Sequence, residues 1–171
     1  VAVAKFPGIV TSNREWHNYN SRPDLEFHTG QRLQQRLEDI SDAFSFQQSS
    51  YSGIQYQKKQ TLPLTILGVS PSYLEFQAID VKYGRMFNIY DDNSKSPVAV
   101  LGADAARTLF VNPQDAVGEK ITVLGKKLRV VGIPQELGSI FGESRDSYVA
   151  MPYQTMRKMF GRKGRYQQLQ F

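Results

Sequence analysis

The feature that most constrains this chain is a change of hydrophobic period near Ala43. Before it, Leu33, Leu37 and Ile40 recur at i, i+4 and i+7. That spacing predicts a helix over residues 30–40, N-capped by Thr29, with Arg32, Gln35, Arg36 and Asp39 on the wet side. After it the apolar residues fall at every second position. Ala43, Phe44 and Phe46 open one strand, Ile54 and Tyr56 a second beyond the Ser52-Gly53 turn, and Leu62, Leu64 and Ile66 a third. A period-2 run hides its apolar side only by pairing with other strands, so the chain beyond the helix must be largely sheet. The fold class expected is α+β, richer in strand than in helix.

The rest of the chain extends this pattern. Residues 1–10 read as a strand interrupted by Pro7-Gly8, and residues 13–23 as a polar loop broken by Asn13, Asn18, Asn20 and Pro23. Pro71 to Leu74 form a turn or a single helical turn. Gly84 sits where the backbone takes an angle that other residues avoid. A short apolar strand at residues 98–101 runs through Gly102 into a helix at 103–110, which Pro113 and Gly118 punctuate. The clearest hairpin joins residues 121–124 to 127–131 around Gly125-Lys126. Residues 135–146 read as a loop, and residues 148–151 as a strand ended by Pro152. A helix at 153–160 places Met156 and Phe160 on one face and stops at Gly161, before a strand that starts at Tyr166. The abrupt opening at Val1 and the close inside a strand predict a fragment of a longer protein.

With 171 residues the chain can bury a sizeable core. It has no cysteine, which excludes thiol chemistry, cysteine zinc sites and a disulfide scaffold. Its longest apolar run, residues 62–69, is far short of the roughly 20 residues that span a bilayer. The net charge of +5 is uneven: residues 126–165 carry nine basic side chains against Glu136, Glu143 and Asp146. Solvated positive charge is the simplest reading of that surplus.

Catalytic motifs are missing. Gly125-Lys126-Lys127 lacks the first glycine and the hydroxyl of a phosphate loop. His17 and His28 have no third ligand at metal-site spacing. Gly68-Val69-Ser70-Pro71-Ser72 puts proline where a nucleophile elbow needs glycine. Asp91-Asp92-Asn93 lacks the glycine and distal glutamate of a calcium loop, and is read as a solvated turn. Arg85 is expected in a local ion pair or on backbone carbonyls. Phe44, Phe46, Tyr51 and Tyr56 are expected in cross-strand packing.

Seven blocks follow one another from residue 67 onward: Leu67-Gly68-Val69-Ser70-Pro71-Ser72-Tyr73, then Tyr83-Gly84-Arg85-Met86-Phe87, then Asp91-Asp92, Val98-Ala99-Val100-Leu101-Gly102, Val117-Gly118-Glu119-Lys120-Ile121, Val130-Val131-Gly132-Ile133, and Tyr148-Val149-Ala150-Met151-Pro152. In this order they resemble the periplasmic core domain of MacB-like permeases of ABC transporters, in the FtsX-like permease superfamily. The resemblance implies a porter-like subdomain built from both ends of the chain (residues 1–61 and the returning strand at 165–171), and a strand-rich sabre-like insertion at 62–164. It assigns structural motif positions to Gly68, Pro71, Tyr73, Gly84, Arg85, Gly102, Gly118, Gly132 and Pro152. It implies no catalytic residue, cofactor or metal, and an extracytoplasmic location. The implied role is to couple ATP-driven membrane motion to substrate or partner handling in an efflux-type transporter. The implied partners are a second permease subunit, a cytoplasmic ATP-binding domain, and a periplasmic adaptor or carrier, with the isolated domain a monomer. Two other classes compete: a nucleic-acid-binding module, from the basic end, and a secreted hydrolase. The first lacks a recognition motif and the second a nucleophile constellation.

Overall fold

The computed structural model describes residues 2–4, 12, 14, 17, 18, 21, 32, 35, 36, 45–76, 79–140, 142–161 and 166–170. Its strands are β1 (Ala2–Ala4), β2 (Ser45–Ser52), β3 (Ile54–Tyr56), β4 (Lys59–Gln60), β5 (Leu64–Val69), β6 (Val81–Gly84), β7 (Val98–Leu101), β8 (Lys120–Val123), β9 (Lys126–Pro134), β10 (Ser139–Ile140), β11 (Glu143–Ser144), β12 (Tyr148–Pro152) and β13 (Tyr166–Gln170). Between them lie the helices α1 (Pro71–Phe76), α2 (Ile89–Asn93), α3 (Ala103–Leu109) and α4 (Tyr153–Phe160), and a 3₁₀ turn at Pro113–Ala116.

Eleven strands make one mixed sheet in the order β1-β13-β2-β5-β12-β7-β9-β8-β3-β4, with β6 also on β9. Two pairs are parallel, β5 with β12 and β7 with β9. A parallel pair needs a crossover. Between β7 and β9 that crossover is α3, the 3₁₀ turn and β8. The two ends of the described chain lie side by side, Ala2 opposite Gln170 and Ala4 opposite Gln168. β3 pairs with β8, Ile54 opposite Val123, and β4 lies outside β3 at the far end of the sheet from β1.

Both faces of the central strands are covered, which is why β7 and β12 read as unbroken apolar runs with every residue buried. On one face Ile66, Leu101, Val130, Val149 and Met151 meet Ala105, Ala106 and Leu109 of α3 and Met156 of α4. On the other, Val69, Val98, Val100, Val131, Tyr148 and Ala150 pack with Phe87 and the half-buried Tyr73 and Met86.

β9 changes character along its length. From Lys127 to Val130 it alternates exposed and buried as a hairpin strand should, and from Val130 onward every residue is buried. Gly132 pairs with both Val100 of β7 and Gly84 of β6, while Arg129 pairs with both Val98 of β7 and Lys120 of β8. Hence β7 follows one edge of β9, and β8 and then β6 follow the other.

The structure departs from the sequence expectations at three places. Arg14, His17 and Asn18, placed in a loop, are helical, and the Ser21 N–H donates to the His17 carbonyl at 3.0 Å. The span 135–146 contains the β10–β11 ladder, pinned because the buried Asp146 carboxylate accepts the N–H groups of Leu137 and Gly138. Asp91 and Asp92 are not a solvated turn but lie in α2, 8% and 7% exposed. Of the helix expected at 30–40, Arg32, Gln35 and Arg36 are helical and exposed. Its Thr29 cap and apolar stripe, with Pro7-Gly8, His28, Ala43 and Phe44, lie outside the described residues.

Candidate interaction site

The motif turn that follows β6 is built by a reciprocal close approach. Gly84 and Gly132 are register partners, and Gly84 has φ +77°. A Cβ at Gly84 would run into the Val131 carbonyl, and one at Gly132 into the Arg85 carbonyl. Each backbone occupies the space where the other would carry a side chain, so only glycine serves at either place. The Arg85 N–H then donates to the Val131 carbonyl at 2.9 Å.

Held there, Arg85 forks onto Asp91, with Nη1 2.6 Å from Oδ2 and Nη2 3.2 Å from Oδ1, and its Nη1 also donates to the Met86 carbonyl at 2.8 Å. Asn88 and Asp91 form a capping box: the Asn88 side chain accepts from the Tyr90 and Asp91 N–H groups, and the Asp91 carboxylate accepts from the Asn88 N–H. The hydrogen bonds from Arg85 are the main reason that the Asp91 carboxyl lies below its ordinary pKa; burial opposes this, and the Asn88 N–H assists. Asp92 goes the other way. Burial raises its pKa, only partly offset by the Gln154 N–H that it accepts at 2.8 Å. Through that bond Asp92 caps α4, and Thr155 adds a hydroxyl bond to the Ser96 carbonyl at 2.8 Å. Two adjacent aspartates thus tie α2 to β6 on one side and to α4 on the other.

The remaining motif positions are spread along the central strands. Gly68, in β5, faces Met156 of α4. Pro71 opens α1, and Tyr73, half-buried two residues on, has its pKa raised by burial. Gly102 joins β7 to α3, donates its N–H to the Tyr148 carbonyl at 2.9 Å, and leaves no room for a Cβ beside the Asp146 carbonyl. Gly118, with φ +96°, donates to the Val130 carbonyl at 2.8 Å. Pro152 ends β12 opposite Val69 and precedes α4. The structure brings Gly84, Arg85 and Gly132 together and leaves the others apart. Among the aromatics, Phe46 stacks on Tyr153 at 5.6 Å and Tyr56 on Phe110 at 4.2 Å, whereas Tyr51 is 70% exposed.

Next to the Arg85–Asp91 pair opens a cleft of about 450 Å³, lined by Asp91, Ser96, Pro97, Val98, Lys120, Lys127 and Arg129. The sequence reading did not single out its three cations as a group. The signal was present in the hairpin alternation, which sets Lys127 and Arg129 on one face of β9, with Lys120 opposite Arg129. Among the described residues no group of three histidines or carboxylates could hold a metal ion, and no helix is long and apolar enough to cross a membrane. The site offers charge, hydrogen bonds and a rigid frame rather than a reacting group.

The profile of the MacB-like periplasmic core domain matches residues 4–170. The chain belongs to that family. It is an extracytoplasmic domain of the kind carried by MacB-like permeases of ABC-type transporters. The macrolide export ATP-binding/permease protein MacB of Escherichia coli (strain K12) is 37% identical to it over 89 residues, 52% of this chain and 14% of that protein. The protein of that name from Shigella flexneri gives the same figures. The chain therefore matches only a small part of the length of these relatives. The fold of this MacB-like domain is shared with the extracellular domain of the ABC-type transporter YknZ from Gram-positive bacteria, with TM-score 0.72, 19% identity, and 88% of this chain and 75% of that one covered. It is shared equally with the periplasmic region of MacB from Actinobacillus actinomycetemcomitans, with TM-score 0.72, 15% identity, and coverage of 94% and 71%.

Proposed function

We propose that this domain is the non-catalytic coupling module of an efflux-type transporter, passing ATP-driven motion of membrane helices to a substrate or partner protein outside the cytoplasm. The observation that carries the reading is the family match over residues 4–170, joined to the side-by-side pairing of β1 with β13. Paired strands at the two ends of the chain suit a domain mounted on a moving base. In this reading residues 1–61 and 165–171 form the porter-like part and residues 62–164 the sabre-like insertion, with β3 reaching across to pair with the insertion's β8. The nucleotide is hydrolysed by a separate cytoplasmic domain. The working assembly pairs two permease subunits and engages a periplasmic adaptor or carrier. The named relatives export macrolides, which makes a bulky amphiphile the substrate class to try first.

Calorimetry on the 171-residue chain tests the division of labour. Titration with ATP and magnesium should give no heat of binding, and stoichiometric binding would overturn it. Sedimentation equilibrium should return the 19.4 kDa of one chain, because pairing is assigned to the membrane-embedded parts.

A further inference from the structure

The β8–β9 hairpin sorts its side chains by face. Ile121, Val123, Leu128 and Val130 are fully buried on one side. Lys120, Lys127 and Arg129 are exposed on the other. Lys120 stands directly opposite Arg129 in register, and Lys127 is two residues along the same strand from Arg129. Like charges placed opposite one another in an antiparallel pair are destabilising. Among the described residues none of the three has an ion-pair partner. The nearby carboxylate, Asp91, is already committed to the Arg85 fork and to the Asn88 N–H. The Arg129 backbone is fixed, its N–H donating to the Pro97 carbonyl at 2.8 Å. Three mutually repelling cations therefore line a cleft of about 450 Å³, where among the described residues the only carboxylate, Asp91, attracts Arg129 from a distance and makes no ion pair with it.

We propose that this cleft is a binding site for a phosphate-class oxyanion, with Arg129 as its forked anchor and Lys120 and Lys127 as flanking point charges. Arginine's planar fork matches two phosphate oxygens at once, and lysine ammonium groups serve the rest. A tetrahedral dianion presents enough oxygens to meet all three cations, which a single carboxylate does not. Asp91, held against Arg85, closes one end of the cleft to further negative charge, so the site takes one compact headgroup rather than a polyanion. A free phosphate and a phospholipid headgroup share this chemistry.

The test titrates inorganic phosphate into the ¹⁵N-labelled 171-residue chain at constant ionic strength. Saturable shifts are expected at the amides of Lys120, Lys127 and Arg129. Matched chloride should not reproduce them. The double variant Lys127→Gln, Arg129→Gln should bind about tenfold more weakly or worse, a loss of about 1.4 kcal/mol. It should also unfold no earlier than the parent, since it removes repulsion. Lys158→Gln, an exposed cation of α4 outside the cleft, should bind like the parent. Co-sedimentation with phosphatidylglycerol vesicles, competed by phosphate and lost in the double variant, assigns the source to a lipid headgroup; phosphate binding without vesicle binding assigns it to a free phosphate. Shifts that do not saturate, that chloride reproduces, or that persist in a folded double variant would overturn the proposal.

Discussion

The two halves of the sheet meet the same backbone requirement with opposite side chains. At the centre, β7 and β12 bury every residue, and nearly all of those residues are apolar. Toward the β1 end, β2 reads Ser-Phe-Gln-Gln-Ser-Ser-Tyr-Ser, and the two residues that it buries are polar, Ser45 and Gln48. Gln48 donates to the Gly161 carbonyl at 3.3 Å while its buried Oε1 has no partner among the described residues, and Ser45 accepts a bond from the Ser70 hydroxyl at 3.3 Å. Buried apolar area drives folding in the first region. In the second the ladder to β5 and β13 does more of the holding, and a hydrogen bond contributes only about 1 kcal/mol net. The apolar half is a rigid frame, and the polar half is where local opening should be easiest.

The contrast breaks most sharply at the glycine lock. Gly84→Ala combines a positive φ with a collision against the Val131 carbonyl. It should cost about 3 kcal/mol or more, measured by urea denaturation. A cost under about 1 kcal/mol would mean that β6 and β9 are free to move apart. Next in size, Leu101→Ala in β7 should cost about 3 kcal/mol, because the side chain is fully buried. Phe46→Ala in β2 should cost about half of that, since the ring is only half-buried and stacked on Tyr153. Equal losses at the two sites would erase the distinction between the halves.

How far this was visible beforehand depends on range. The β8–β9 hairpin, the helix from Tyr153 to Phe160 and the strand at Tyr166 were legible because alternation, the helical repeat and glycine stops act within a few residues. The β10–β11 ladder was not, since it depends on Asp146 holding Leu137 and Gly138 from several residues away. Asp91 and Asp92 look like surface residues in isolation. Their burial comes from Arg85 and Gln154, and only the Asn88/Asp91 capping-box spacing hinted at a helix start. The cationic cleft escaped notice for a related reason: alternation shows which residues share a face, but not that α2 and the Pro97 turn leave that face open.

A smaller effect separates the two aspartates. Asp91→Asn should cost about 1.5 kcal/mol at neutral pH, the worth of a hydrogen bond to a charged group. Because the folded-state pKa of Asp91 is depressed, its contribution is fully present above the ordinary aspartate range and is lost as pH falls through the depressed value. The gap between parent and variant, followed by thermal melts from pH 7 down to about pH 3, should close toward acid. Asp92, whose pKa is raised, should behave oppositely: its contribution is greatest when protonated and shrinks as pH rises through the ordinary range to the raised value. Parallel pH profiles for Asp91→Asn and Asp92→Asn would refute the assignment.

The smallest effect has the opposite sign. Among the described residues the buried Tyr148 hydroxyl has no hydrogen-bond partner, and burial first, then the Asp146 and Tyr73 charges, push its pKa up to about 12. Tyr148→Phe should be neutral or raise stability by up to about 1 kcal/mol, read from the urea midpoint at unchanged slope. A loss beyond that would reveal a polar contact that the apolar half of the sheet does not otherwise display.

The pairing of β1 with β13 has a mechanical consequence. Ala2 faces Gln170 at one end of an antiparallel ladder, so the two strands are loaded like the teeth of a zipper. A displacement that carries Ala2 and Gln170 together moves the whole sheet as a lever, because every bond of the ladder shares the load. A displacement that pulls them apart strains one bond pair at a time and peels the strands at low force. The ladder is thus stiff toward joint motion of Ala2 and Gln170 and yielding toward their separation.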